Sequence, residues 1–153
     1  MSRIRVLLVD DVELARRTIR YELRKEEGIE IVGEAGDGDT AIEMARRLRP
    51  DVLVTDIVHP GLDGYELTRA VSEQLDEVKV VVYSAYISCI HIEQSLQAGA
   101  KGVLLKPEPT SVLKTAIETV ASGREFLSPG ASPLPSRPRP TTRAARRQPK
   151  PDW

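Results

Sequence analysis

The sequence predicts a doubly wound α/β domain, a parallel sheet with helices on both faces, and three observations lead there. Apolar runs recur five times. Three of them, "IRVLLV" from Ile4, "DVLVTDI" from Asp51 and "VKVVVYSA" from Val78, are continuous Val, Ile and Leu without alternation, as strands covered on both faces require. Between the runs lie segments of helical spacing, so strand and helix alternate through the chain. With 153 residues, 41% of them hydrophobic, the chain is long enough for one domain with a real core.

Taken in order, the first strand is followed by a helix with Val12, Ala15, Ile19 and Leu23 on one face and Arg16, Arg17, Arg20 and Arg24 outside. "IEIVGEA" from Ile29 is the second strand, and Ala41, Ala45 and Leu48 mark the apolar face of the second helix. After the third strand come Leu67, Ala70 and Val71 at the same spacing, with Asp63 and Glu66 spaced as a capping box at that helix's start. The helix over 88–98 has the weakest pattern. "KGVLLK" from Lys101 is the fifth strand, and Leu113, Ala116, Ile117 and Val120 line the last helix. The domain is expected to end near Leu127.

The remainder has another character. Residues 128–153 hold seven of the eleven prolines and six basic residues against one acid, a charge of +5, whereas residues 1–127 carry −6. A segment this poor in apolar residues cannot bury enough surface to offset its ordering entropy, so a disordered Pro/Arg-rich tail is expected. A single cysteine, Cys89, excludes an internal disulfide and a Cys-based zinc cage, and its expected role is structural. No apolar run approaches the ~20 residues that span a bilayer and no signal-peptide pattern opens the chain, which points to a cytoplasmic protein.

Polar residues fall where the strands stop. The first strand ends in Asp10 and Asp11, the third in Asp56, the fourth in Ser84 and the fifth in Lys106. In open parallel sheets ligands bind outside the carboxyl ends of the strands, beside the point where strand order reverses. The expected order 2-1-3-4-5 sets the first and third strands side by side there, so Asp10, Asp11 and Asp56 converge on one crevice with Ser84 and Lys106 on its rim. Three carboxylates in a small pocket need a cation between them, and oxygen-only ligands suit Mg²⁺. A carboxylate so masked can attack a phosphoryl group, with Lys106 and Ser84 as partners for its oxygens. Each residue has a plainer reading taken singly. Asp10 with Glu13 fits a capping box, Asp56 before Pro60-Gly61 fits a turn, and Lys106 and Ser84 fit solvated loop groups. Their joint placement at four strand ends is what those readings leave unexplained.

"VLLVDD", "GEAGDGDTAIEMA", "PDVLVTDIVHPGLDGYEL", "VVVYSA" and "AGAKGVLLKP" occur in the order in which they occur in the receiver domain of bacterial two-component response regulators, which residues 3 to about 127 resemble. The resemblance implies a (βα)5 flavodoxin-like receiver fold with Asp56 as phosphoacceptor. It implies Asp10, Asp11, Asp56 and the Val58 carbonyl as the Mg²⁺ site, Ser84 as switch hydroxyl, Lys106 as phosphate-binding lysine and Pro107 in a cis peptide. Val58 and Tyr86 fall at the positions flanking the approach of a hydrolytic water. Two features depart from the family pattern: His59 replaces the usual methionine, and Val103 replaces the common aromatic switch residue of the fifth strand. His59 reads as a turn residue and His91 as a surface residue, and the "GEAGDG" glycines follow the wrong strand for a dinucleotide site.

The implied partners are a sensor histidine kinase or phosphotransfer protein, an unidentified output protein and a second copy of the chain. The implied activity is limited to self-phosphorylation and self-dephosphorylation. "GREFLSP" resembles the NarL/FixJ-type regulators, yet no helix-turn-helix domain follows it in this sequence. Three outputs compete: a stand-alone receiver acting by protein contact, a basic tail binding nucleic acid or an acidic partner, and a transcriptional regulator that has lost its output domain. An aspartate-nucleophile phosphatase belongs to another class and would need a second Asp two residues after Asp56, where Val58 stands.

Overall fold

The computed structural model describes residues 3–57, 61–85, 89–106 and 109–127, without the side chains of Cys89 and Thr110. Strands β1 (Ile4–Val9), β2 (Ile29–Ala35), β3 (Val52–Thr55), β4 (Lys79–Ser84) and β5 (Gly102–Leu105) alternate with helices α1 (Glu13–Leu23), α2 (Gly38–Leu48), α3 (Gly64–Gln74), α4 (Cys89–Ala98) and α5 (Thr110–Ala121). The strands pair in parallel in the order β2-β1-β3-β4-β5, as the alternation and the apolar runs require. A sixth strand, β6 (Phe126–Leu127), adds to the edge beyond β5. The sequence reading missed it: two residues carry too little pattern to announce a strand.

The unbroken apolar strands are buried on both sides. Leu7, Val9, Leu53, Val80 and Val82 pack toward α2 and α3, while Val6, Leu8, Val54, Val81 and Leu104 pack toward α1 and α5. The period of two along each strand thus feeds two cores. Leu113, Ala116, Ile117 and Val120 are all fully buried, as their spacing predicts. Asp63 caps α3, with the Glu66 N–H donating to Asp63 Oδ1 at 2.9 Å and the Asp63 N–H to Glu66 Oε1 at 3.0 Å.

Three readings of α1 are corrected. Val12 is 51% exposed rather than inward, because it is the extended N-cap residue and precedes the helical register. Arg16, assigned outside, is drawn in with a side chain only 18% exposed. The capping box of Asp10 and Glu13 does not form, since Asp10 sits back at the strand end and accepts instead from the Val12 N–H at 2.9 Å.

Candidate functional site at the carboxyl ends of the strands

Asp10 and Asp56 directly follow β1 and β3, which lie side by side with Val9 opposite Thr55. The Asp56 N–H extends that ladder to the Val9 carbonyl at 3.2 Å, and the Asp10 N–H extends the other to Ala35 at 3.0 Å. Both acids therefore spring from backbone already held by the sheet. Past Asp56 the chain turns at once: Ile57 N–H donates to Asp56 Oδ1 at 2.6 Å, and Gly64 N–H to the Ile57 carbonyl at 2.6 Å. Gly64 has to be glycine, because a Cβ there would run into the Asp56 carbonyl oxygen and stand 2.6 Å from the Ile57 Cα.

Lys106 enters from the far side. It follows β5, and its N–H is anchored on the Ser84 carbonyl at 2.8 Å. Its long side chain crosses the end of β4, so that Nζ donates to Asp10 Oδ2 and, at 3.0 Å, to Asp56 Oδ2. One ammonium thus bridges two carboxylates whose side chains are 4% and 16% exposed. Burial pushes the Lys106 pKa down, but the hydrogen bonds and charges of Asp10 and Asp56 outweigh it, so the net shift is upward and the lysine stays charged.

The structure brings together Asp10, Asp56 and Lys106, and it buries Ser84 at the end of β4. Asp11 lies exposed on the rim. Among the described residues no three His, Cys, Asp or Glu side chains gather closely enough to hold an ion, so the expected three-carboxylate convergence narrows to a pair. Val58, His59, Tyr86 and Pro107 lie outside the described residues, as do the Cys89 side chain and residues 128–153. The donor set still fits Mg²⁺. It is all carboxylate oxygen, and Mg²⁺ keeps several waters and takes only one or two carboxylates beside phosphate oxygens, so it needs no closed protein cage.

Three contributors carried no signal of function in the sequence. Thr55 is fully buried and donates to the Asp56 carbonyl at 2.8 Å. Arg16 donates to the Asp10 carbonyl and, through Nε at 3.3 Å, to Glu34. Glu34 also takes Arg20, tying the loop after β1 to the edge strand β2. An arginine on the polar face of a helix gives no sign of turning inward; only the small Gly36 beside it, whose absent Cβ would stand 3.4 Å from the Arg16 guanidinium, hints at the room it needs.

An open parallel sheet in this order, with paired acids and a crossing lysine at its carboxyl end, defines a receiver of the two-component signalling class. The chain belongs to the response regulator receiver domain family, whose model matches residues 6–118. Relatives include the transcriptional regulatory protein LiaR of Bacillus subtilis, 35% identical over 124 residues, covering 81% of this chain and 59% of LiaR. The response regulator GacA of Pseudomonas aeruginosa is 36% identical over 126 residues, covering 82% of this chain and 59% of its own. Among solved structures, the receiver domain of the putative response regulator NarL from Mycobacterium tuberculosis superposes with a TM-score of 0.78 at 33% identity, covering 81% of this chain and all of that one. The chain spans about three-fifths of the length of the curated relatives it matches. Mg²⁺ binding and phosphorylation are general features of the family. No described helix is long and apolar enough to cross a membrane.

Proposed function

We propose that Asp56 is the phosphoacceptor of this receiver and that its phosphorylation, by a histidine kinase or phosphotransfer protein, switches a protein contact. The observation that carries the reading is the Lys106 ammonium shared between Asp10 and Asp56 at the ends of β1, β3 and β5. Lys106 and the Ile57 N–H orient the Asp56 carboxyl group at the end of β3, so its Oδ2 can attack phosphorus once Lys106 releases it. The new bond is Asp56 O–P, and the bond broken is that from phosphorus to the donor's nitrogen or oxygen. Lys106 then exchanges a carboxylate oxygen for a phosphoryl oxygen without leaving the site, and the Ser84 hydroxyl donates to another. Mg²⁺, held by Asp10, Asp11, Asp56 and the Val58 carbonyl, would supply charge neutralisation for the incoming phosphoryl group.

The change of partner by Lys106 is what would transmit the state, since its N–H is tied to the end of β4 and its carbonyl accepts the Tyr83 hydroxyl at 3.3 Å. The activity is a self-modification rather than turnover of a substrate. The proposed output is contact with another protein, cytoplasmic and not at a membrane; binding of nucleic acid through the basic tail is the competing reading. Incubation with acetyl phosphate and Mg²⁺ should add one phosphoryl mass, and Asp56→Asn should abolish it. Full labelling of the variant would overturn the assignment.

A further inference from the structure

A second feature lies at the opposite edge of the sheet. Between α1 and the edge strand β2 runs a groove of about 490 Å³, lined by Arg3, Arg20, Arg24, Ile29, Glu30 and Ile31. That volume falls within the roughly 300–1,000 Å³ of small-molecule sites. Half-buried Ile31 supplies its apolar strip, backed by the buried Ile29 of the core beneath α1. Three guanidinium groups stand over it. Arg20 lies in the last turn of α1 and Arg24 is its C-cap residue, and Arg3 precedes β1 with its Nε on the Glu27 carbonyl at 3.0 Å. Neither Arg3 nor Arg24 makes an ion pair among the described residues, although the domain around them is acidic overall. Three arginines against the one carboxylate of the lining, Glu30, leave a surplus of positive charge beside an apolar strip, which suits an anion with an apolar body, because the guanidinium fork matches phosphate oxygens and stacks on planar rings. As an edge strand, β2 also leaves outward backbone N–H groups for the same anion.

We propose that this groove binds a phosphorylated small molecule and that binding is coupled to the acid site. The connection is continuous: Arg20 of the groove pairs with Glu34, Glu34 holds Arg16, and Arg16 donates to the Asp10 carbonyl. A phosphate that draws Arg20 away leaves Glu34 to Arg16 alone and changes how Arg16 holds the loop carrying Asp10. By linkage, a change in that loop must alter affinity for the anion by the same factor.

The test uses the full chain, labelled with ¹⁵N, free of divalent ions, titrated in parallel with pyrophosphate and with ATP. Amide shifts should centre on Arg20, Arg24, Ile29, Glu30 and Ile31, with a smaller set at Asp11 and Val12. The Arg3→Glu/Arg24→Glu variant should bind at least tenfold more weakly at an unchanged melting temperature; if that pair impairs folding, Arg24→Gln alone should still weaken binding severalfold. Pyrophosphate binding as tight as ATP supports recognition of phosphate alone, and tighter ATP binding supports a part for the apolar strip. Shifts centred on Asp56 and Lys106 with none in the groove, or undiminished binding by the arginine variants, would overturn the site. Glu34→Gln should remove the distant shifts at Asp11 and Val12; their persistence would overturn the coupling. Asp56→Asn should still bind pyrophosphate in the groove while taking up no phosphoryl group, so failure of the groove and failure of the phosphoacceptor assignment can be told apart.

Discussion

The two ends of the parallel sheet use the same residue types to opposite effect. At the amino end, Arg5 donates to the Leu48 and Arg49 carbonyls at 2.7 and 2.9 Å, satisfying the last turn of α2. Asp51 accepts the Arg5 N–H at 2.8 Å, while Arg49 pairs with Glu77 across the surface. Arg5, Asp51 and Arg49 each have their own partner there. At the carboxyl end two carboxylates share one ammonium, largely out of water. The first arrangement is finished, and a change of ligand would gain it nothing. The second holds two carboxylates against one lysine, which is why a cation has a reason to bind there.

The sharpest way to break this contrast is Asp56→Asn, with complete loss of phosphoryl uptake by intact mass, set beside Arg5→Ala, which should label at the wild-type rate. Next in size is Lys106→Met. It strands two poorly exposed carboxylates, and breaking such a pair costs about 3 kcal/mol in metal-free buffer, measured by urea unfolding. Mg²⁺ should still bind, whereas the phosphorylation-dependent shift in NMR spectra should vanish.

Titration sharpens the same point. Because the folded-state pKa of Lys106 is raised, its contribution is complete below the unfolded lysine value of ~10.4 and is lost as pH climbs through the higher folded value. The wild type should therefore lose stability more steeply than Lys106→Met above about pH 10.5. Equal slopes would mean that the bridge contributes nothing to folding.

A kinetic effect comes third. Neither Val58 nor Tyr86 offers a carboxylate or amide to orient a hydrolytic water, so the phosphorylated state should be long-lived. Val58→Asn with Tyr86→Glu should hasten its decay by up to ~10²-fold, followed by phosphate release. Decay within seconds in the wild type would contradict this.

The amino-end network should yield a smaller loss. Arg5→Ala removes two charge-assisted but partly solvated bonds and should cost on the order of 1 kcal/mol by the same unfolding assay. Least of all, removal of residues 128–153 should leave the melting temperature unchanged within a few degrees, because nothing in that stretch can build a core. A larger fall would show that the tail docks, with Trp153 the first side chain to examine.

The sequence by itself determined the architecture and the addresses of the site. Unbroken Val, Ile and Leu runs allow only strands covered on both faces. A polar residue at the end of such a run must sit at the sheet's rim, so Asp10, Asp56, Ser84 and Lys106 were legible as one group. Asp63 was legible as a cap because a capping box is local in sequence. Only the tertiary structure decided who touches whom. That Lys106 crosses β4 to bridge two acids depends on strand order and side-chain reach together. That Asp10 is buried at the end of β1 while Asp11 stands exposed follows from the bend into which the chain passes after the strand. Arg16 turns inward because Glu34, eighteen residues away in sequence, and the Asp10 carbonyl compensate its charge. Periodicity records which face of an element is apolar. It does not record which charges from distant segments will meet, because that pairing exists only once the sheet has brought the strand ends together.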